Sequence, residues 1–173
     1  FLSEDDITDA YNTNLKMNPP LRTAGDALAL QAAVADGTVD CIVTDHAPHA
    51  AHEKDCEWEI SYFGCIGLET SLPLMVTNMV RTNKLSFTGL VRAMSVNPRR
   101  ILRLEPVKIA AGYKADLTLF DPEKKVQITP EYFESKSKNS AFIGTELYGV
   151  ATDVFVDGKR VLANEVIVPG GEK

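Results

Sequence analysis

The chain has 173 residues, of which 45% are hydrophobic, and a formal net charge of −6 at pH 7. This length and composition favour a globular chain with a packed core and exclude a disordered one. No Lys/Arg block is present, so nucleic acid is not an expected partner. No apolar run reaches the roughly 18 to 20 residues that span a bilayer, and the three cysteines favour reduced thiols. We therefore expect a soluble, cytoplasmic protein.

The first predicted helix lies between Thr23 and Gly37. Thr23, with Asp26 three residues later, is a pattern that starts a helix, and Gly37 supplies the C-terminal break. The expected apolar stripe on this helix comprises Leu28, Ala32 and Ala35.

A buried strand is predicted next. Residues 39–44 form an apolar, β-branched run, which is typical of a strand buried on both faces, and the run stops at Asp45. The polar and aromatic segment 46–67 is long for a loop, and such loops in compact domains are usually functional. This order implies an α/β parallel sheet that carries its functional loops, and Asp45, at the C-terminal ends of its strands.

The helical pattern continues and then gives way to strands. Two or three helices are expected: 68–80, one capped by Ser86 that runs through Ala93, and a third from the Asn97-Pro98 pair, as its cap and first turn, to near Leu104. Period-two alternation then predicts strands at 116–120 and 126–128 and a hairpin over 153–162 that turns at Asp157-Gly158. A second, all-β module therefore begins near Val107. About 100 residues of α/β chain cannot close an eight-stranded barrel, which needs about 250, so other chain must complete the sheet.

All three histidines lie between Asp45 and His52, directly after the predicted strand. A carboxylate at the mouth of a parallel sheet can move a proton, and a nearby imidazole can bind an anionic group. A turn-capping Asp45 with solvated loop histidines is an equally simple interpretation. The three-residue spacing of the histidines is weak evidence for a metal site.

Two further places could contact a ligand. Asn18 precedes a Pro-Pro pair and could hydrogen-bond an imide-like or ureido ligand, or serve only as a turn residue. Phe63 and Gly64 offer an aromatic wall and a backbone that a ligand can approach closely, or a loop that packs onto a barrel.

Several motifs, taken together, resemble the dihydroorotase family in order and spacing. They are Lys16-Met17-Asn18-Pro19-Pro20-Leu21-Arg22, Thr44-Asp45-His46-Ala47-Pro48-His49, Phe63-Gly64-Cys65-Ile66-Gly67-Leu68-Glu69-Thr70, Gly112-Tyr113-Lys114-Ala115-Asp116-Leu117 and the run from Ser135 to Gly144. The resemblance covers nearly the whole chain. It implies an α/β fold: the C-terminal part of a (β/α)8 TIM-like barrel of the metal-dependent hydrolases in residues 1–105, and part of a small β-sandwich domain in residues 106–173.

The resemblance also implies an activity. Dihydroorotases of this kind are amidohydrolases of pyrimidine biosynthesis that reversibly cyclise N-carbamoyl-L-aspartate to L-dihydroorotate at two zinc ions. By position, Asp45 would bind one zinc and transfer a proton as the catalytic residue. Asn18 and His49 would hold the substrate, and Phe63 and Gly64 would close over it. The family's other zinc ligands precede the matching region, so the chain is expected to be an incomplete piece that is inactive alone.

Two other interpretations remain open. Hydantoinases, dihydropyrimidinases and allantoinases share the scaffold, although His49 argues against them. A non-catalytic dihydroorotase-like subunit could instead serve as a scaffold for aspartate transcarbamoylase, which the presence of Asp45 and His49 disfavours. The expected partners are the small-molecule substrate and the remaining N-terminal part of the enzyme, with a homodimer or aspartate transcarbamoylase as further candidates.

Overall fold

Helices occupy the first part of the chain and an antiparallel sheet the second. The computed structural model describes residues 1–8, 10–106 and 108–172. The helices are α1 (Ala24–Asp36), α2 (Ala51–Lys54), α3 (Leu68–Met75), α4 (Phe87–Val91) and α5 (Asn97–Ile101), with 3-10 turns at Glu4–Asp6, Thr13–Leu15 and Pro130–Tyr132. Strands β1 (Leu117–Gln127), β2 (Glu146–Val156), β3 (Lys159–Ala163) and β4 (Val166–Glu172) form one sheet in that order, and every neighbouring pair is antiparallel.

Helix α1 begins and ends as its sequence predicts. The Thr23 hydroxyl accepts a hydrogen bond from the Asp26 N–H at 3.1 Å, and Gly37 ends the helix in the left-handed region at φ 86°. The predicted apolar stripe is wrong, however, because Leu28 is 57% exposed. The half-buried side of α1 is shifted by about one residue toward the N-terminus from the predicted stripe. On that side Val34 packs against a hydrophobic cluster that includes Met79.

The strand predicted over residues 39–44 does not form. This segment has no ladder partner among the described residues, and Val43 is 78% exposed. The Ile42 N–H donates to the Ala93 carbonyl at 3.1 Å and ties the segment to the helices. A strand buried on both faces needs neighbours in its sheet. The prediction fails because the described part of the chain supplies no such neighbour.

The helices from residue 68 onward partly follow the prediction. Helix α3 continues as a π-helical turn through Val80, which confirms the predicted 68–80 helix, and the Ser86 hydroxyl accepts from the Gly89 N–H at 3.1 Å as the cap of α4.

The prediction that Asn97 caps a separate helix is wrong, although α5 begins at that residue. Asn97 has helical angles, φ −67° and ψ −43°, and α4 runs into α5 through a π-helical turn at Arg92–Val96. The wider π-turn accommodates Pro98, which has no N–H to donate. The Asn97 side-chain amide instead donates to the Asp40 carbonyl at 2.7 Å, so its contact is tertiary.

The sheet contains the predicted hairpin and one strand that was not predicted. Asp157 and Gly158 both have positive φ, 52° and 75°, as a type I′ turn between right-twisted strands requires. The two short strands predicted at 116–120 and 126–128 are a single irregular strand, β1, with a register shift between Asp121 and Lys125. Strand β4 follows a turn at Asn164-Glu165 without glycine, which explains why the turn signal was missed. The predicted module start at Val107 lies outside the described residues.

Two hydrophobic clusters hold the sheet against the helices. One consists of Ile66, Leu74, Ile128, Phe133 and Leu147; the other consists of Met75, Val76, Met79, Leu85 and Leu90. Between them, Gly149 on β2 has φ 98°, and a Cβ there would lie 2.7 Å from the Val76 Cβ. Only glycine permits this approach of β2 to the helix. In the described parts of the chain, every helix is too short or too polar to cross a lipid bilayer.

Candidate functional site

The motif segments meet around one loop, residues 58–64, which we call the aromatic loop. The Gly64 N–H donates to the Lys16 carbonyl at 2.8 Å, and the Ala47 N–H donates to the Cys65 carbonyl at 3.0 Å. These bonds join the segments that carry Asn18, Asp45 and Phe63. The chain thus brings three of its sequence motifs to one place.

Asp45 ends the segment that follows α1. It is exposed, and its φ of 45° puts it in the left-handed region, which few residues other than glycine, Asn and Asp adopt. Within the described residues its carboxylate has no hydrogen-bond or ion-pair partner. Strained backbone is concentrated at functional sites, and a free, exposed carboxylate can bind a cation or transfer a proton.

His46 fixes the backbone next to Asp45. Its Nδ1 accepts hydrogen bonds from the Gly67 N–H at 3.1 Å and the Leu68 N–H at 3.3 Å, at the start of α3. An accepting Nδ1 carries no proton, so the ring is the Nε2–H tautomer. Gly67 also approaches Thr44 closely, since a Cβ on Gly67 would lie 3.1 Å from the Thr44 Cβ. Sequence reasoning assigned His46 no role, and its spacing gave no signal of this contact.

His49 joins the histidine segment to the aromatic loop. Its Nε2 lies 2.9 Å from the Phe63 carbonyl oxygen, and because a carbonyl only accepts, Nε2 is the donor. The ring stacks on Tyr62 with centroids 5.4 Å apart, and Nδ1 lies 3.7 Å from the Glu53 carboxylate. With its side chain 18% exposed, His49 is part of the hydrogen-bonded frame of the site.

The other predicted site residues lie on or beside the aromatic loop. Phe63 is 52% exposed, and Gly64 has φ 97°. A Cβ on Gly64 would lie 2.8 Å from the Ala47 Cβ, so only glycine fits this crossing. Asn18 is exposed and joins the group through the main chain of Lys16, two residues earlier, rather than by a described contact of its own side chain.

Asn139 holds the backbone of the site by hydrogen bonds, and the sequence analysis assigned it no role. It is 6% exposed; its side-chain amide donates to the Ala47 carbonyl at 2.9 Å and its side-chain oxygen accepts from the His49 N–H at 3.2 Å. Its main-chain carbonyl accepts from the Ile66 N–H. The only sequence signal was its place in the 135–144 motif.

Glu69, in the third motif, holds the sheet side of the site. Its carboxylate accepts from the Glu134 N–H at 2.8 Å and the Ser135 N–H at 3.2 Å. The Tyr132 hydroxyl donates to the Glu69 carbonyl at 3.0 Å, and burial raises the pKa of that phenol. Glu69 therefore joins α3 to the start of the 135–144 motif and the residue before it.

Buried ionisable groups surround the aromatic loop. Lys16 and Lys54 are 8% and 7% exposed, and burial lowers the pKa of Lys54 because it disfavours the charged amine. Burial likewise raises the pKa of the Cys65 thiol, against an opposing hydrogen bond from the backbone of Ala141. Sequence reasoning missed both lysines, although the position of Lys16 between Leu15 and Met17 was a weak signal of burial.

An apolar cavity of about 540 Å³ lies between α1 and residues 42–44. Its lining includes Leu30, Val34, Ile42, Val43 and Met79. Leu30 and Val43 are 63% and 78% exposed, so this side of the molecule presents apolar side chains that the described residues do not cover.

A metal ion would need more ligands than this site offers. Among residues 1–8, 10–106 and 108–172, no group of three or more His, Cys, Asp or Glu is arranged to hold a metal ion. Asp45 fits as one oxygen donor, and one carboxylate does not make a site.

Known proteins are similar to this chain in sequence and in fold. The pattern of the Amidohydrolase family matches residues 6–161. The chain is 46% identical over 161 residues to a dihydroorotase of Geotalea daltonii and 43% identical over 164 residues to one of Elusimicrobium minutum. These alignments cover 93% and 95% of this chain but 38% of each relative. The chain therefore spans less than two fifths of the length of the curated relatives it matches.

Solved structures agree on the fold. An L-hydantoinase (dihydropyrimidinase) from Arthrobacter aurescens superposes with a TM-score of 0.89 and 29% identity, over 96% of this chain and 38% of that one. A D-hydantoinase (dihydropyrimidinase) from Thermus sp. gives a TM-score of 0.79 and 26% identity, over 93% of this chain and 36% of that one. The predicted fold class, part of an α/β amidohydrolase barrel followed by a β module, is confirmed. With the family pattern matching most of its length, the chain belongs to the amidohydrolase family.

Proposed function

We propose that this chain is the C-terminal portion of a dihydroorotase, which interconverts N-carbamoyl-L-aspartate and L-dihydroorotate in pyrimidine biosynthesis. The observation that carries the proposal is the meeting of the Asp45 to His49 segment with the Phe63-Gly64 pair, through the Ala47–Cys65 and His49–Phe63 hydrogen bonds. The identity of 40% to 46% with proteins named dihydroorotase, against 29% with the L-hydantoinase, supports this substrate over other cyclic amides.

In this proposal Asp45 is the catalytic residue. Its exposed carboxylate has no partner among the described residues and stands at a strained position, so it is free to carry a proton in either direction. In ring closure it would take the proton of the ureido N–H and give it to the departing hydroxide, and in hydrolysis it would take a proton from the attacking water and give it to the ring nitrogen. The His46 contacts with α3 hold the adjacent backbone while this happens. Asp45 would also be a ligand of one metal ion.

The residues on and around the aromatic loop would bind the substrate. His49 would exchange its hydrogen bond to the Phe63 carbonyl for an anionic oxygen of the substrate, and Asn18 would hydrogen-bond the ureido or imide group. Phe63 and Gly64 would cover the bound ring. Exposure of Phe63 and Asn18 supports their availability to a ligand.

The proposed cofactor is a pair of zinc ions per complete site. When bound, zinc would supply Lewis-acid polarisation of a carbonyl and a water of lowered pKa. Asp45 is the donor that this chain contributes, and the other ligands would come from the part of the relatives that this chain does not match.

That remaining part of the enzyme is the proposed partner of the apolar side. This side resembles a barrel wall that lacks its neighbouring strands: Val43 and Leu30 are uncovered, a cavity lies beside them, and segment 39–44 has no paired strand among the described residues.

We also propose a division into a barrel portion, 1–105, and a β-sandwich portion, 106–173. A cytoplasmic location is proposed as well, which the three free cysteines support. A homodimer and an aspartate transcarbamoylase partner stay predictions.

A hydantoinase-like amidohydrolase is the second candidate, favoured by the TM-score of 0.89 with the L-hydantoinase. The test is a substrate panel on the zinc-loaded parent protein, with dihydroorotate, hydantoin, dihydrouracil and allantoin at equal concentrations. The proposal expects dihydroorotate to have the highest kcat/KM by at least about tenfold. Preference for an uncharged ring would favour the hydantoinase class, and inactivity on all four would favour a scaffold subunit.

A further inference from the structure

We propose that Lys16 and Lys54 are positioning residues that hold the aromatic loop in its substrate-covering conformation by binding its backbone carbonyls. We further propose that the cluster of carbonyl oxygens around the Lys16 ammonium binds a small ammonium ion when that side chain is removed. The effect on activity rests on the proposed function, because the loop carries Phe63 and Gly64. The effect on loop order does not.

Lys16 occupies the centre of the loop. Its Nζ donates to three carbonyl oxygens: Trp58 at 2.7 Å, Glu59 at 3.1 Å and Ser61 at 2.8 Å. An ammonium has three N–H groups, so these bonds use all of them. Nζ also lies 4.6 Å from the centroid of the Phe63 ring, within the range of a cation–π contact. The main-chain carbonyl of Lys16 accepts from the Gly64 N–H, so one residue holds both ends of the loop.

Lys54 binds carbonyls in the second half of the loop. Its Nζ donates to the Tyr62 carbonyl at 2.7 Å and the Gly64 carbonyl at 3.1 Å. His49 binds the intervening Phe63 carbonyl. Six of the seven carbonyls from residue 58 to residue 64 therefore accept a hydrogen bond from one of three basic side chains.

This arrangement is unusual because neither lysine has a carboxylate partner among the described residues. A buried charge needs compensation, and here the carbonyl dipoles supply it. Conversely, carbonyls that converge on one point repel each other unless a cation lies between them. The loop conformation and the two buried ammonium groups therefore depend on each other. Burial lowers the pKa of Lys54, and the neighbouring Lys16 lowers it a little further against an opposing effect of Cys65.

The consequence for function is a selective effect on binding. Lys16 ties the segment of Asn18 to the loop of Phe63 and Gly64, and the described contacts of neither lysine include Asp45. Loss of the hydrogen bonds from these lysines should therefore disorder the proposed substrate-binding residues and leave Asp45, the proposed proton-transfer group, in place. KM should respond more strongly than kcat.

The experiment uses the zinc-loaded parent protein with Lys16→Ala and Lys54→Ala, and Lys136→Ala at an exposed lysine as the matched control. We expect Lys16→Ala to raise KM for dihydroorotate by about tenfold or more, with kcat within about threefold of the wild type. Amide hydrogen exchange should accelerate in residues 58–64 and remain slow in residues 68–80. Lys136→Ala should match the wild type in all three measurements.

Chemical rescue separates a cation site from general packing. Ammonium or methylammonium chloride should lower KM of Lys16→Ala and restore exchange protection of residues 58–64. Tetramethylammonium at the same ionic strength, which has no N–H donor, should do neither. Should Lys16→Ala not fold, Lys54→Ala is tested by the same measurements with the same expectations.

The proposal is overturned if both lysine variants keep wild-type KM and loop exchange, if rescue by tetramethylammonium equals that by ammonium, or if exchange accelerates equally in residues 68–80. An inactive wild-type parent would instead refute the proposed function. In that case exchange protection and its rescue by ammonium still decide whether the lysines order the loop.

Discussion

The two sides of the helical part differ in how completely they are packed. The junction side, where α3 and its π-helical continuation meet β2, buries Val76 and Ile128 completely and depends on the close approach of Gly149. The open side, made of α1 and residues 39–44, leaves Val43 78% exposed above an apolar cavity. Both sides have apolar sequences, so composition does not distinguish them.

The difference teaches which parts of the site this chain completes by itself. The aromatic loop has most of its partners within the described residues: six of its seven carbonyls accept a hydrogen bond from Lys16, Lys54 or His49. Asp45 lies at the end of the open segment and has none. Under the proposed function, this chain thus supplies the wall that would cover the substrate, and the other barrel strands would complete the site around Asp45.

The largest expected effect is on the open side, at Asp45. Asp45→Asn in the zinc-loaded parent should lower kcat by about 10²- to 10⁴-fold, because an amide cannot accept and return the proton. Asn tolerates the left-handed backbone as Asp does, so the melting temperature should stay nearly unchanged. Steady-state kinetics and thermal unfolding measure both, with the exposed Asp55→Asn as the control. Wild-type turnover of Asp45→Asn would show that Asp45 does not transfer the proton.

The next effect is on the junction side. Gly149→Ala should lower the free energy of unfolding by about 2–4 kcal/mol, because the new Cβ would lie 2.7 Å from Val76 at a positive φ. Gly158→Ala is the matched control: its φ of 75° carries similar strain, but nothing lies within 4 Å of the new Cβ. It should cost about 1 kcal/mol. Denaturant unfolding measures the difference, and equal losses would show that backbone strain alone matters.

A smaller effect tests whether the open side is covered in the parent. Val43→Ala should destabilise the parent by about 1–3 kcal/mol if neighbouring barrel strands bury Val43. Val166→Ala, at another exposed valine on β4, should stay within about 0.5 kcal/mol. Denaturant unfolding of the two variants gives the comparison. No loss at Val43 would mean that this face remains exposed in the complete enzyme.

The smallest effect concerns an ion pair in the sheet, away from both sides. Hydrogen bonds from Arg160 hold the pKa of the Asp153 carboxyl below its ordinary value of 3.8. A lowered acid pKa stabilises the fold above pH 3.8, and this stabilisation is lost as the pH falls through the folded-state pKa. Arg160→Gln should therefore lower the melting temperature slightly at pH 7, and the gap should close below about pH 3.8. Arg100→Gln, in an exposed pair with Asp40, is the control.

Local signals predicted much of the fold. The Thr23 and Ser86 caps, the Gly37 stop and the Asp157-Gly158 turn all lie where the sequence placed them, because each depends on a few neighbouring residues. The failures were non-local. The strand at 39–44 lacks neighbours, and Asn97 continues a helix through a π-turn.

The same division runs through the candidate site. The sequence by itself determined the family, through the spacing of its motifs, and it singled out Asp45, Asn18, His49, Phe63 and Gly64. Only the tertiary structure decided that Lys16 and Lys54 bind the loop carbonyls and that Asn139 joins Gly64 of the loop to Ala47. Lysine and asparagine usually lie in solvent, and their burial here depends on backbone carbonyls and amides contributed by chain far away in sequence. Such partners leave no trace in composition or periodicity, because main-chain groups are the same at every residue.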